Sequence, residues 1–234
     1  MIQKIKIKPN TFSEDVLFFK EMTLGRVNLL FGNNGVGKST LISAIGNTTE
    51  KSDVEVIRDN RVISVMSYIN SRHNKNQGFS ENNERMTYGD FYDPHIIAEH
   101  FEAMERSEGE SIMYSLDDMF SEEMLKIFKD EKDKDYLILL DEVDSGLSVD
   151  NLSLIEKWLS RVETETSNVQ IVMAFNNPFF CRHETVVKNM FTGDDLTIAN
   201  MDSYCREVEK YRVVLDKSNS GDDRHSYRRV NQQD

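Results

Sequence analysis

The sequence predicts an α/β fold: a mostly parallel sheet, an antiparallel β portion at the N-terminus, and a short helical subdomain. Three observations carry this. Val27–Phe31, Tyr136–Leu140 and Val169–Ala174 are short, largely apolar runs without strict alternation. Runs of this kind suit strands buried on both faces, as in a parallel sheet. The first of them ends in a glycine-rich turn and continues into a helical stretch, Ser39 to Ile45. By contrast, residues 1–8 alternate apolar and charged side chains, the pattern of a strand with one face in water.

The remaining elements follow in order. Asp15 to Thr23 contains Val16-Leu17-Phe18-Phe19 and reads as a second strand, antiparallel to the first. Val54 to Ile69 holds two strand-like runs around the polar cluster Arg58-Asp59-Asn60-Arg61. Ser71 to Asp90 is polar and Asn-rich, and reads as a loop. Ile96 to Met104 and Ser111 to Phe128 have helical spacing. Lys129 to Asp135 is a charge run expected in solvent, ahead of the Tyr136–Leu140 strand. Leu152 to Val162 is an amphipathic helix carrying the only tryptophan, Trp158, as a core residue. Val186–Met190 and Leu196–Met201 suggest a late strand pair, and Tyr204–Val214 a helix. We expect one domain over residues 1–215, with a helical subdomain at about 80–130, and a polar, disordered tail over 216–234.

Bulk properties set limits. A chain of 234 residues suits one large domain, or one domain with a small appendage. Hydrophobic content of 38% and charged content of 29% fit a soluble globular protein. No apolar stretch approaches the ~18 residues of a membrane span, and the N-terminus lacks the apolar core of a signal peptide. Cys181 and Cys205 are too few for a disulfide framework or a cysteine zinc site, so a reducing cytoplasm is the expected location. The net charge of −13 argues against a free-standing nucleic-acid binder, whose affinity rests on basic phosphate contacts. Arg224, His225, Arg228 and Arg229 cluster near the C-terminus, where they read as part of a solvated tail.

Chemistry concentrates in two motifs. Gly32-Asn33-Asn34-Gly35-Val36-Gly37-Lys38-Ser39-Thr40 fits G-x-x-x-x-G-K-[ST] in full, with an apolar strand before it and a helix after it. Glycines let backbone N–H groups turn inward around phosphate oxygens, and a helix N-terminus adds partial positive charge. Asn33 to Thr40 are therefore candidate nucleotide contacts. Lys38 can reach the β- and γ-phosphates, and the Ser39 hydroxyl can ligate Mg²⁺. ATP and Mg²⁺ are the expected ligands. The second motif, Leu137-Ile-Leu-Leu140-Asp141-Glu142, is an apolar strand ending in two carboxylates. A strand beside the phosphate-loop strand delivers an Asp to the magnesium shell in such folds. Asp141 is assigned that role, and Glu142 that of general base on the attacking water. A solvent-exposed acidic strand end is the competing reading.

Leu139-Leu140-Asp141-Glu142-Val143-Asp144-Ser145-Gly146-Leu147-Ser148 resembles the Walker B and D-loop of ATP-binding-cassette (ABC) ATPases. Ser107-Glu108-Gly109-Glu110 resembles the abbreviated S-x-G-E signature of the non-transporter branch. That branch includes SMC-like chromosome-maintenance ATPases, the ATPase domains of overcoming-lysogenization-defect nucleases, and small ATPases of phage and bacterial defence operons. The resemblance covers roughly residues 1–200. It implies a dimer in which two subunits sandwich two ATP molecules head to tail. Ser107 and Gly109 of one copy would then face the γ-phosphate held by Lys38 of the other.

This chain departs from the family pattern at several points. Asn176 stands where the switch histidine is expected. An amide can hydrogen-bond a γ-phosphate but carries no imidazolium charge, which implies slow turnover or completion by another subunit. Ser148 stands at the D-loop aspartate position and Val143 at the Walker B proline. Asn70, then Gln77, are the candidates for the Q-loop metal contact, and Phe12 for adenine stacking. Each also reads as an ordinary loop or core residue. Ser39 and Ser107 are separated by 68 positions without a heptad run, which excludes long coiled-coil arms. With no room for a nuclease domain after residue 201, any effector is expected to be a separate chain, with nucleic acid reached through it. Two rivals remain: an ATPase subunit of a transporter, and a nucleotide-binding scaffold with little hydrolysis.

Overall fold

A computed structural model describes residues 1–9, 17–46, 54–58, 61, 63–69, 108–181 and 183–219. The N-terminal alternation forms β1 (Ile2–Ile7), which pairs antiparallel with β2 (Glu21–Thr23). Next come β3 (Val27–Phe31), α1 (Lys38–Gly46), β4 (Val54–Arg58) and β5 (Ile63–Ile69). The helices α2 (Glu108–Met119) and α3 (Glu122–Asp130) precede β6 (Asp135–Asp141). The chain closes with α4 (Val149–Glu165), β7 (Val169–Ala174), a 3-10 turn at Pro178–Cys181, β8 (Thr185–Asn189), β9 (Asp195–Ile198) and α5 (Met201–Asn219).

Two sheets result. The smaller has the order β2-β1-β4 and is antiparallel. The larger has the order β5-β6-β7-β3-β8-β9. It is parallel from β5 to β8, and β9 pairs antiparallel with β8 as the expected late strand pair. Every residue of β6 and β7 is buried, the both-faces burial that their largely apolar runs imply. Helix α1 packs against β6 and β7 and also touches β4, so it links the two sheets. Its Leu41, Ile42 and Ile45 are wholly buried, each contributing about 1.5–3 kcal/mol relative to exposure.

Four expectations need correction. The Asp141 strand is not beside the phosphate-loop strand, because β7 lies between β3 and β6. Ser111–Phe128 is not one helix. It breaks at Phe120–Ser121, where the Ser121 hydroxyl accepts from Met124 N at 3.3 Å and caps α3. The charge run before β6 is not wholly solvated: Asp135 is 2% exposed and pairs with the N-terminal ammonium and with Arg61. The last helix runs to Asn219, past the expected start of the tail, and Met201 belongs to it rather than to a strand. Trp158 is partly buried, stacked on Phe120 with centroids 5.6 Å apart.

Candidate functional site

Strand register places the site. In the parallel pairings, Asp141 is level with Ala174, and Leu30 is also level with Ala174. The carboxyl ends of β3, β7 and β6 therefore finish together, the edge of an open α/β sheet where ligands bind. The glycine-rich loop leaves β3 at this edge. Gly35 and Gly37 have φ of 83° and 93°, a region in which a Cβ is costly. At Gly32 the requirement is space: a Cβ would sit 2.6 Å from Val36 Cγ1 and 3.2 Å from Met190 Cβ. Val36 is buried beneath the loop, while Asn34 and Gly35 are exposed above it.

Lys38 opens α1 and turns its side chain back into the loop. Its ammonium donates to Gly32 O at 2.6 Å and to Asn33 O at 3.4 Å. Burial lowers its pKa, opposed by the negative charges of Glu142, Asp144 and Asp141. The next residue joins the two motifs: Ser39 Oγ donates to Asp141 Oδ1 at 3.0 Å. Burial raises the Asp141 pKa, partly offset by the Ser39 hydrogen bond, and the neighbouring Glu142 charge raises it further. Thr40 is half-buried one position on.

Glu142 is the only described non-glycine residue with positive φ, at 53°. Its N–H donates to Ala174 O at 3.1 Å, which holds the turn against the end of β7. Asn176 lies just beyond that end, and its Nδ2 donates to Glu142 Oε1 at 3.1 Å. The residue at the switch position thus touches the candidate base directly. Gly109 lies at the start of α2, where a Cβ would come within 3.4 Å of Leu147 and 3.5 Å of Gly146 O. Ser148, at the D-loop aspartate position, caps α4 by accepting from Asn151 N at 3.3 Å. Ser107, Asn70, Gln77 and Phe12 lie outside the described residues.

Asp144 has no role legible in the sequence, although it stands inside the Leu139–Ser148 stretch that resembles the Walker B and D-loop. Its Oδ2 accepts from Asn176 N at 2.8 Å and Asn177 N at 2.5 Å. Burial raises its pKa, opposed by those two backbone donors. A third carboxylate within four positions was the available signal. Its partners, 32 and 33 positions away, were not. Equally hidden was the seat of the phosphate loop on α5, where Asn33 Nδ2 donates to Val208 O at 3.2 Å.

The donor set fits magnesium held together with a nucleotide. Ser39 and Asp141 supply hard oxygens side by side. Among the described residues no group of three or more His, Cys, Asp or Glu is placed to hold a metal unaided. Mg²⁺ commonly takes one or two protein oxygens and completes its shell with phosphates and water. No helix among the described residues is long and apolar enough to cross a membrane.

No protein-family profile matches the chain, and no curated protein matches it. Solved structures do. An ATP-binding cassette of an ABC transporter superposes with a TM-score of 0.52 at 16% identity, covering 92% of this chain and 98% of the other. A dimeric post-hydrolysis cassette bound to ADP and Pi matches at TM-score 0.49 and 14% identity, covering 86% and 100%. The cbiO1 protein of Clostridium perfringens, part of an ABC transporter complex, matches at 0.44 and 18%, covering 92% and 96%. With both motifs at one sheet edge and the first superposition spanning nearly both chains, this chain has the ABC ATPase fold.

Proposed function

We propose that the chain is an ABC-type ATPase whose ATP-bound, head-to-tail dimer acts as a switch on a partner protein. The observation that carries this is the meeting of Lys38, Ser39, Asp141 and Glu142 at one sheet edge, joined by the Ser39–Asp141 hydrogen bond of 3.0 Å. On nucleotide binding, Lys38 exchanges its two backbone carbonyls for β- and γ-phosphate oxygens. Asn33 to Thr40 wrap the phosphate chain with backbone N–H groups. Ser39 and Asp141 hold Mg²⁺, which supplies charge stabilisation on the transferring phosphoryl group; Asn70 is the candidate additional ligand. Glu142 accepts the proton of the attacking water. Asn176 carries two N–H donors on one nitrogen. One stays on Glu142 while the other reaches a γ-phosphate oxygen. With no imidazolium charge, this arrangement turns over slowly. Ser107 and Gly109 of a second copy complete the site.

The partner is a separate effector in DNA processing or anti-phage defence, with nucleic acid reached through that effector, and the complex is cytoplasmic. Support for this finer reading comes from the Ser107–Glu110 sequence, which resembles the abbreviated signature of the non-transporter branch, and from Asn176, because a transporter subunit is expected to carry a switch histidine there. A second reading, the ATPase subunit of a transporter, is favoured by the cassette that superposes at TM-score 0.52. Purification with the products of neighbouring genes separates the two: a non-membrane effector supports the first, a membrane permease the second.

Hydrolysis is tested directly. Phosphate release from Mg–ATP should be measurable in the purified chain and absent in Lys38→Ala. Glu142→Gln should trap an ATP-dependent dimer in size-exclusion chromatography. A strictly monomeric Glu142→Gln chain under saturating ATP would sink the dimer switch. Release unchanged in Lys38→Ala would remove the phosphate-loop assignment, and no release by the chain, alone or with its neighbours, would leave a nucleotide-binding scaffold.

A further inference from the structure

We infer that Asp144 is a positioning residue of the hydrolytic centre, holding the Asn176–Asn177 turn so that the Asn176 amide stays on Glu142. This rests on the reading of Glu142 and Asn176 given above. Asp144 is 2% exposed, and one of its oxygens accepts two successive backbone N–H groups, from Asn176 and Asn177. A carboxylate gripping two adjacent amides is a strong, charge-assisted anchor, and it fixes orientation as well as distance. The grip spans two segments that no strand pairing reaches. On one side, Ser145 N donates to Glu142 O at 3.1 Å and closes the turn that carries Glu142 and Asp144. On the other, β7 has ended at Ala174, and Asn177 Oδ1 accepts from Phe179 N at 3.0 Å to start the 3-10 turn.

The consequence is geometric. Asn176 has only its side-chain amide to offer Glu142, at 3.1 Å, and the backbone behind that side chain is fixed by Asp144. Without the anchor the amide drifts, and displacement of about 1 Å at a reacting centre can cost about a hundredfold in rate. Asp144 also opens the segment that continues through Gly146 and Leu147, which pack against Gly109 at the start of α2. A change at the helix start can therefore reach the hydrolytic turn through one short stretch of backbone.

The test is a double-mutant cycle on ATP turnover by the full chain. Asp144→Ala should lower kcat by about tenfold to a hundredfold with KM for ATP within about twofold, the signature of an interaction made late rather than in binding. Asp144→Asn keeps an acceptor oxygen at the same reach and should restore kcat to within about threefold of wild type. Because Asp144 acts through Asn176, the double variant Asp144→Ala/Asn176→Ala should be no slower than Asn176→Ala alone. Should the alanine chain not fold, Asp144→Ser, whose hydroxyl falls short of both amides, takes its place in the cycle. Multiplicative losses in the double variant would overturn the inference, as would an Asp144→Asn chain as slow as Asp144→Ala. A wild-type rate in Asp144→Ala with Asn176→Ala slow removes this inference alone. A wild-type rate in Asn176→Ala, or a wild-type chain that releases no phosphate, removes the underlying reading and this inference with it.

Discussion

Glu142 shows at the residue scale how the site trades stability for placement. A φ of 53° is a left-handed conformation, which costs an L residue with a Cβ about 1–2 kcal/mol. The turn needs it because β6 must end and re-aim within one residue: Asp141 is still paired in the strand, and Ser145 N already bonds back to Glu142 O. Glycine would adopt the same angle freely. Glu142→Gly should therefore raise the urea midpoint, by the equivalent of about 0.5–1 kcal/mol once the lost side-chain contacts and the added chain entropy are set against the relief. The same change should lower hydrolysis by about a hundredfold or more, the contribution expected of a general base. Glu142→Gln keeps the strained backbone and should share the loss of rate without the gain in stability. A glycine variant less stable than the glutamine one would show that the angle is not strained.

At the scale of elements, Ser148 separates a structural duty from a catalytic one. It stands where the related motif carries aspartate, and here it caps the 17-residue helix α4. Serine and aspartate are nearly equal as caps, while alanine cannot accept the N–H. Ser148→Ala should cost about 1 kcal/mol in chemical unfolding, and Ser148→Asp should stay within about 0.5 kcal/mol of wild type. A neutral alanine variant would remove the capping role. The same contrast explains what the sequence made legible. β3, β6 and β7 are visible because burial on both faces writes itself as a largely apolar run without strict alternation, and the glycines of the phosphate loop are visible because φ near +90° excludes other residues. The placement of β7 between β3 and β6 is invisible, because backbone hydrogen bonds define strand order and carry no side-chain code. The break at Ser121 is hidden because Leu116, Met119, Phe120, Leu125 and Phe128 maintain one buried face across it. Asp135 misleads in the opposite direction: its charge signals solvent, yet the N-terminal ammonium, far away in sequence, accompanies it into the interior.

At the scale of the molecule, one chain brings Lys38, Asp141, Glu142 and Asn176 together by itself, whereas the start of α2 turns elsewhere. Gly109 packs against Gly146 and Leu147, not against the phosphate loop. If Ser107 and Gly109 complete a site, they do so on a second copy, and a two-fold dimer then carries two identical composite sites. This has a quantitative outcome. Lys38→Ala and Ser107→Arg should each abolish hydrolysis as pure proteins, since either change damages both sites of its own dimer. Mixed in equal amounts and allowed to exchange, half of the dimers would be heterodimers. Each heterodimer has one site with both defects and one with neither. Recovery of about one quarter of the wild-type rate follows if the sites act independently. A recovery well below that but above zero would mean that a damaged site slows its intact neighbour. No recovery, with exchange verified by two tags, would remove the head-to-tail arrangement. A site built wholly within one chain predicts that outcome, because each variant would carry its defect alone into every pairing.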